Sequence, residues 1–143
     1  MARRTSGPKR SRGRSGGRQR PTTADVALPA EPGSVGDART FVVDTLSDWN
    51  ADRHLEVAAL LTSELVTNAV LHSGCEAMTL TMHLESGRLR VEVQDDNPRL
   101  PARTGGGNVM ARGRGLTLVE ALSARWGADR TADGKCVWFE VGP

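Results

Sequence analysis

The chain has 143 residues, which suits one domain with a buried core, and 38% of them are apolar. Its net charge of +2 is the sum of two oppositely charged parts. Residues 1–20 hold eight of the 19 Lys and Arg residues and no acid, so residues 21–143 have 11 bases and all 17 acids. No apolar segment follows these bases, so we expect neither a secretory signal nor a membrane span. Two cysteines without CxxC spacing indicate reduced, buried thiols in a cytoplasmic protein.

The basic segment predicts a disordered tail and linker over residues 1–34, followed by one domain over 35–143. Large apolar side chains are nearly absent from the first 20 residues, so burial cannot offset the entropy of ordering them. Their positive charge permits a contact with nucleic acid or a membrane surface. A solvated leader is the simpler interpretation, and nucleic acid is not expected as a principal partner.

Apolar spacing then predicts two helices. Ala38, Phe41, Val42, Leu46 and Trp49 recur at helical intervals. We expect Ser34 to cap this helix, with Asp37 three residues further on, in a variant of the capping box. A second helix is predicted from 52 to 72, ending near Gly74.

Alternating apolar residues predict four strands in the remainder. Two strands over 78–84 and 89–95 form a hairpin around the turn "ESGR". A long glycine-rich loop over 97–113 precedes a third helix over 114–124, and two strands follow at 125–130 and 135–141. The order ααββαββ predicts an α+β fold, a two-layer sandwich with three helices on one face of a mostly antiparallel sheet.

The second helix carries a carboxylate and a carboxamide among apolar residues. On a helical projection, Glu64 and Asn68 fall within one stripe with Val57, Leu60, Leu61 and Leu71. A buried carboxylate requires a polar counterpart. Two interpretations remain open: a structural pair that meets backbone groups, or a metal-and-water site with Asn68 as an oxygen ligand and Glu64 as a base.

Two further features suggest ligand contacts. Alternation places Asp95 on the inward face of its strand beside the long loop, where it can accept from a buried amine or cap its own turn. Gly113 to Leu116, "GRGL", open the third helix, and free amides at a helix start bind phosphate. The motif "GKC" at 134–136 is not a P-loop, because it lacks the upstream glycine and the hydroxyl.

Together these motifs resemble the GHKL-type (histidine kinase-like) ATP-binding domain with its Bergerat fold. They are E-L-x-x-N-A from Glu64 to Ala69, a strand ending in Asp95, the glycine-rich segment with G-x-G-L, and "GKCVWFEV". The branch most similar to this chain is the anti-sigma factor serine/threonine kinases and related bacterial regulatory ATP-binding proteins. The resemblance covers about residues 35–142.

The resemblance implies a role for each matching residue. Asn68 resembles the Mg²⁺ ligand, Glu64 the catalytic residue that activates the attacking hydroxyl or water, and Asp95 the reader of the adenine amine. Gly113, Arg114, Gly115 and Leu116 resemble the loop that contacts the phosphates, and Cys136 stands where a threonine commonly lies near adenine. The implied cofactors are ATP and Mg²⁺.

The resemblance further implies a kinase that phosphorylates an anti-sigma antagonist and also sequesters a sigma factor, with a homodimer as a compatible assembly. One departure favours an alternative. The family motif D-x-G-x-G reads Asp95-Asp96-Asn97-Pro98-Arg99, without either glycine. A non-catalytic module of the same fold, which binds a regulatory protein with weak or no ATP turnover, is therefore the second hypothesis.

Overall fold

The computed structural model describes residues 3–4, 22–72, 74–97 and 115–143. Its helices are α1 Gly33–Asp48, α2 Leu55–His72 and α3 Gly115–Leu122, and a short 3₁₀ turn, Asp52–His54, precedes α2. Its strands are β1 Arg3–Arg4, β2 Thr22–Pro29, β3 Ala77–Glu85, β4 Arg88–Asp95, β5 Arg125–Arg130 and β6 Lys135–Val141. None of these helices is long and apolar enough to cross a membrane.

All strand pairs are antiparallel, in the order β1-β2-β3-β4-β6-β5. The β3–β4 hairpin turns at Ser86 and Gly87, which both have positive φ (51° and 79°), as the two central residues of a type I′ turn require. In the centre of the sheet β4 lies between β3 and β6. Its last residue, Asp95, is directly opposite the first residue of β6, Lys135.

The core lies between one face of the sheet and the helices. On β2, β3 and β4 every second side chain is buried, and α1 and α2 pack against each other above the sheet. The largest fully buried side chains include Leu46, Leu61, Leu80, Met82 and Phe139. This architecture confirms the predicted α+β fold with three helices and a mostly antiparallel sheet.

The interpretation of residues 21–34 as a linker is wrong over Thr22–Pro29, which forms β2 and pairs along its length with β3. Ala24, Val26 and Leu28 bury their side chains in the core. Pro29 occupies the strand's last position, beyond Val26 and Ala27, the two residues that pair with β1. Arg3–Arg4 pairs with β2, and the predicted disorder of the other residues before Thr22 lies outside the described residues.

The predicted cap of the first helix is also wrong. The helix begins at Gly33, so Ser34 lies inside its first turn, and the residue before the helix, Pro32, makes no side-chain cap. Ser34 is buried, and its hydroxyl donates to the carbonyl oxygen of Pro29 at 2.6 Å. The serine therefore ties the start of α1 to the end of β2.

Candidate functional site

The centre of α2 presents the first part of the site. Asn68 is 7% exposed, and its Nδ2 has no hydrogen-bond partner among the described residues. A buried donor without a partner is energetically costly in a folded protein, which makes this amide a candidate to meet a ligand acceptor. Glu64, one turn earlier, is half-buried.

The stripe predicted for α2 needs correction. Leu60 and Leu71, two of its members, are 40% and 63% exposed. The core face of the helix lies to one side of that stripe and comprises Ala58, Leu61, Thr62, Leu65, Val66 and Ala69. Because α2 is apolar nearly all round, its periodicity does not identify which face packs. Glu64 therefore lies at the edge of the core, where it remains partly accessible.

The second part of the site is the end of β4, beside the segment that follows α2. The backbone N–H of Glu76 donates to Asp96 Oδ1 at 3.1 Å, and a Cβ added to Gly74 would lie 3.2 Å from the side-chain amide of Asn97. Asp95 Oδ1 accepts from the backbone N–H of Asn97 at 2.9 Å. The carboxylate of Asp95 therefore caps its own turn, one of the two interpretations left open for this residue. The burial alternation of β4 places it on the helix side of the sheet.

Lys135 is a site residue that the sequence analysis missed. Its Nζ lies 2.9 Å from Asp95 Oδ2 and 3.3 Å from Oδ1, and it donates to the carbonyl oxygen of Asn97 at 3.3 Å. Asp95 and Lys135 are 3% and 4% exposed. The available signal was the pairing of β4 with β6, which makes the two residues cross-strand neighbours.

Gly134 allows this close approach. A Cβ at this position would collide with the backbone carbonyl oxygen of Asp95. The turn before β6 is closed by the Thr131 N–H donating to the Gly134 carbonyl oxygen (2.8 Å) and by the Gly134 N–H donating to Thr131 Oγ1 (3.0 Å). A glycine is therefore required where the β5–β6 turn lies against the end of β4.

The predicted nucleotide contact of Cys136 does not hold. Cys136 is opposite Gln94 in the β4–β6 ladder, one position from the Asp95–Lys135 pair, and successive side chains point to opposite faces of a sheet. Its thiol therefore lies on the face away from Asn68 and Asp95. Burial raises the pKa of Cys136 to about 11, so the thiol stays protonated at neutral pH.

The predicted phosphate-binding segment is only partly described. Gly113 and Arg114 lie outside the described residues. Gly115 and Leu116 are the first two residues of α3, as the sequence predicts, and α3 packs against α2. The helix that begins with these two residues is thus a neighbour of the helix that carries Glu64 and Asn68.

A second charged cluster occupies the sheet face away from the helices, called the open face below. Arg90 Nε donates to Glu92 Oε2 at 2.7 Å, and Arg90 Nη1 donates to Glu140 Oε2 at 2.9 Å. The Arg90 guanidinium also lies 4.0 Å from the centre of the Trp138 ring. This cluster lies on the same sheet as the Asp95–Lys135 pair but on its opposite face, and the two groups have no side chain in common.

The pKa values on the open face follow from these contacts. The pKa of Glu92 is lowered from 4.5 to about 2, first by the hydrogen bond with His83 and then by Arg90, while burial opposes the shift. The Nε2 atom of His83 lies 3.7 Å from Glu92 Oε1. Burial alone would lower the pKa of Arg90, but its hydrogen bonds to Glu92 and Glu140 raise it above its ordinary value. Both groups are therefore fully charged at neutral pH.

The implied ATP and Mg²⁺ fit one end of this site and not the other. The unpartnered Nδ2 of Asn68 can donate to an acceptor such as a phosphate oxygen, and the oxygen of the same side chain is of the type that Mg²⁺ prefers. At the end of β4, however, the carboxylate expected to accept an adenine amine is paired with an ammonium group. The Asn68 end of the site therefore has a group available to a nucleotide, whereas the carboxylate at the β4 end is already paired.

Comparison with known proteins agrees with this architecture. Residues 28–141 match the histidine kinase-like ATPase domain. An uncharacterized protein of Streptomyces coelicolor is 35% identical over 82 residues, covering 54% of this chain and 78% of the relative.

Two solved structures are similar to this chain. The RsbU and RsbW domains of a Mycobacterium tuberculosis protein align with a TM-score of 0.64 at 20% identity, over 84% of this chain and 32% of that one, which shows a shared fold. The histidine kinase domain of a blue-light activated kinase from Erythrobacter litoralis aligns over 59% of this chain and 42% of that one, at 29% identity, with a TM-score of 0.44.

The family match spans most of the sequence and includes α2, β4 and β6, the elements that carry the site. The chain belongs to the histidine kinase-like ATPase domain family.

Proposed function

We propose that this protein is a cytoplasmic ATP-binding regulator of the anti-sigma factor serine/threonine kinase type. It phosphorylates a serine or threonine of an anti-sigma antagonist partner, and it sequesters a sigma factor. The single observation that carries the proposal is the buried Asn68 amide, whose Nδ2 has no partner among the described residues, one turn after a half-buried Glu64. Membership of the family gives this pair its interpretation.

Each residue has a distinct part in this proposal. Asn68 would hold Mg²⁺ through its side-chain oxygen, and ATP with Mg²⁺ supplies the transferable phosphoryl group and neutralises its charge. Glu64 orients the partner's hydroxyl and accepts its proton. Its partial exposure suits this role, because the partner's hydroxyl has to reach the carboxylate from outside.

The alternative is a non-catalytic module of the same fold that binds a regulatory protein with weak or no ATP turnover. Two observations favour it. The buried Lys135 ammonium lies 2.9 Å from the Asp95 carboxylate, and both family glycines after Asp95 are replaced, by Asn97 and Arg99. Each of these changes weakens the expected contact with the base.

Calorimetric titration of the full chain with ATP and Mg²⁺ tests the nucleotide site. We expect wild type to bind and Asn68→Ala to lose at least about tenfold in affinity, as removal of a buried polar contact predicts. Thr67→Ala, at the half-buried neighbouring position on α2, is the matched control and should bind as wild type does. Absence of binding by wild type would exclude the kinase and leave the module.

Transfer of labelled γ-phosphate to a candidate antagonist separates the two functions once binding is established. Glu64→Gln keeps the shape of the side chain and removes its basicity. We expect this variant to bind ATP normally and to transfer phosphate at least about a hundredfold more slowly, the range of general-base contributions. Equal transfer rates for wild type and Glu64→Gln would contradict the catalytic role of Glu64.

A further inference from the structure

The end of β4 presents a charged donor at the position where the family's nucleotide presents a neutral one. The Lys135 ammonium lies within 3.3 Å of both carboxylate oxygens of Asp95. Hydrogen bonds between two ionised groups are shorter and stronger than those from a neutral donor. An exocyclic amine of a purine would therefore compete with Lys135 for this carboxylate at a disadvantage.

The geometry around the pair opposes withdrawal of the lysine. Lys135 Nζ also donates to the carbonyl oxygen of Asn97, and Asp95 Oδ1 accepts from the N–H of the same residue. Displacement of the ammonium would break two contacts and leave a cation in surroundings where it is 4% exposed. Charges this deeply buried remain paired, because an unpaired buried charge is strongly unfavourable.

We propose that Lys135 is a specificity-determining residue that occupies the base-reading carboxylate of Asp95, so that the site binds nucleoside triphosphates without reading the adenine amine. This inference rests on the proposed function, since it concerns the same nucleotide site. Recognition then depends on the triphosphate and its Mg²⁺, at the Asn68 end. Neutralising Lys135 releases Asp95 and restores selectivity for the amine.

The test compares ATP with purine riboside 5′-triphosphate, which lacks the exocyclic amine, by calorimetry in the presence of Mg²⁺. For the wild-type chain we expect equal affinities, within about twofold. For Lys135→Met we expect ATP to be preferred by about tenfold or more, the contribution of a hydrogen bond to a charged group. Lys135→Gln also removes the charge, so it should favour ATP over the purine riboside triphosphate as well, and it covers the case in which the methionine variant does not fold.

Arg130→Met is the matched control. Arg130 is exposed and stands opposite Lys135 in the β5–β6 ladder, so its replacement removes the same charge from the same end of the sheet without breaking the buried pair. We expect this variant to bind both triphosphates equally, as wild type does. A preference for ATP in Arg130→Met would show that general loss of positive charge, and not release of Asp95, creates the selectivity.

Other outcomes overturn the proposal in distinguishable ways. A tenfold preference for ATP in wild type would show that Asp95 reads the amine with Lys135 in place, which overturns this inference and leaves the proposed function intact. Equal affinities in both Lys135 variants would overturn it as well. No binding of either triphosphate to wild type overturns both proposals, whether or not the Lys135 variants gain ATP binding.

Discussion

The two faces of the sheet each carry a charged cluster, and the clusters differ in how far water reaches them. On the helix side, Asp95 and Lys135 form a pair at 2.9 Å in which both residues are almost completely buried. On the open face, Arg90 shares its charge between Glu92 and Glu140, at 2.7 and 2.9 Å, and about a third of its side chain is exposed.

This difference in exposure determines which cluster is more sensitive to the loss of one member. In the buried pair both charges are shielded from water, so removal of one member is costly for the other. On the open face water and neighbouring carboxylates replace part of what a mutation removes. We therefore expect large, salt-independent effects on the helix side and small, salt-dependent effects on the open face.

Lys135→Met should give the largest loss of stability. Breaking a buried ion pair by removing one member costs about 3–5 kcal/mol of unfolding free energy. Urea unfolding followed by circular dichroism measures the loss, and the value should be the same at 0.1 and 1 M salt, because buried charges are poorly screened.

The double variant Asp95→Asn/Lys135→Met is the control for this prediction. It removes both charges, so it should recover most of the stability that Lys135→Met loses. If the double variant were as unstable as Lys135→Met, the loss would come from the packing of the lysine stem and not from an uncompensated carboxylate.

Gly134→Ala should have the second-largest effect. The added Cβ would collide with the Asp95 carbonyl oxygen, which is backbone and cannot rotate away, so the β5–β6 turn has to shift. We expect a loss of about 2 kcal/mol, typical of a forced backbone displacement. Gly142→Ala is the matched control, because a Cβ there meets nothing within 4 Å, and it should change stability by less than about 0.5 kcal/mol.

Much of the fold follows from local sequence patterns. The β3–β4 hairpin is predictable because its alternation and its Ser86-Gly87 turn are contained in one continuous segment. The bounds of β5 and β6 agree with the predicted ranges for the same reason. Asn68 is identifiable from sequence because an amide within an apolar helix is chemically conspicuous.

The features that were missed depend on packing or on distant pairing. The alternation of Ala24, Val26 and Leu28 in β2 was visible, but the prolines at 21 and 29 and the small side chain at 24 obscured it. The core face of α2 is set by its neighbours α1 and α3. The role of Lys135 depends on the pairing of β4 with β6, between residues 40 positions apart in sequence.

Glu92→Gln probes the open face and should have the smallest effect of the three. At neutral pH the variant loses the ion pair with Arg90, for a cost of about 1 kcal/mol in a partly exposed cluster. Urea unfolding at 0.1 M salt measures it, and 1 M salt should reduce the difference. Glu85→Gln, at an exposed position on the adjacent strand, is the control and should be nearly neutral.

The pH dependence of the stability difference tests whether Glu92 contributes through its charge. The pKa of Glu92 is lowered from 4.5 in the unfolded chain to about 2 in the folded protein, so its contribution to stability is complete above about pH 4.5 and disappears as the pH falls toward 2. The stability gap between wild type and Glu92→Gln should therefore be present at pH 5 and narrow below pH 4.5. A gap that stayed unchanged down to pH 3 would mean that the carboxylate contributes through its shape and not through its charge. The open face would then be stabilised by packing and not by its ion pairs.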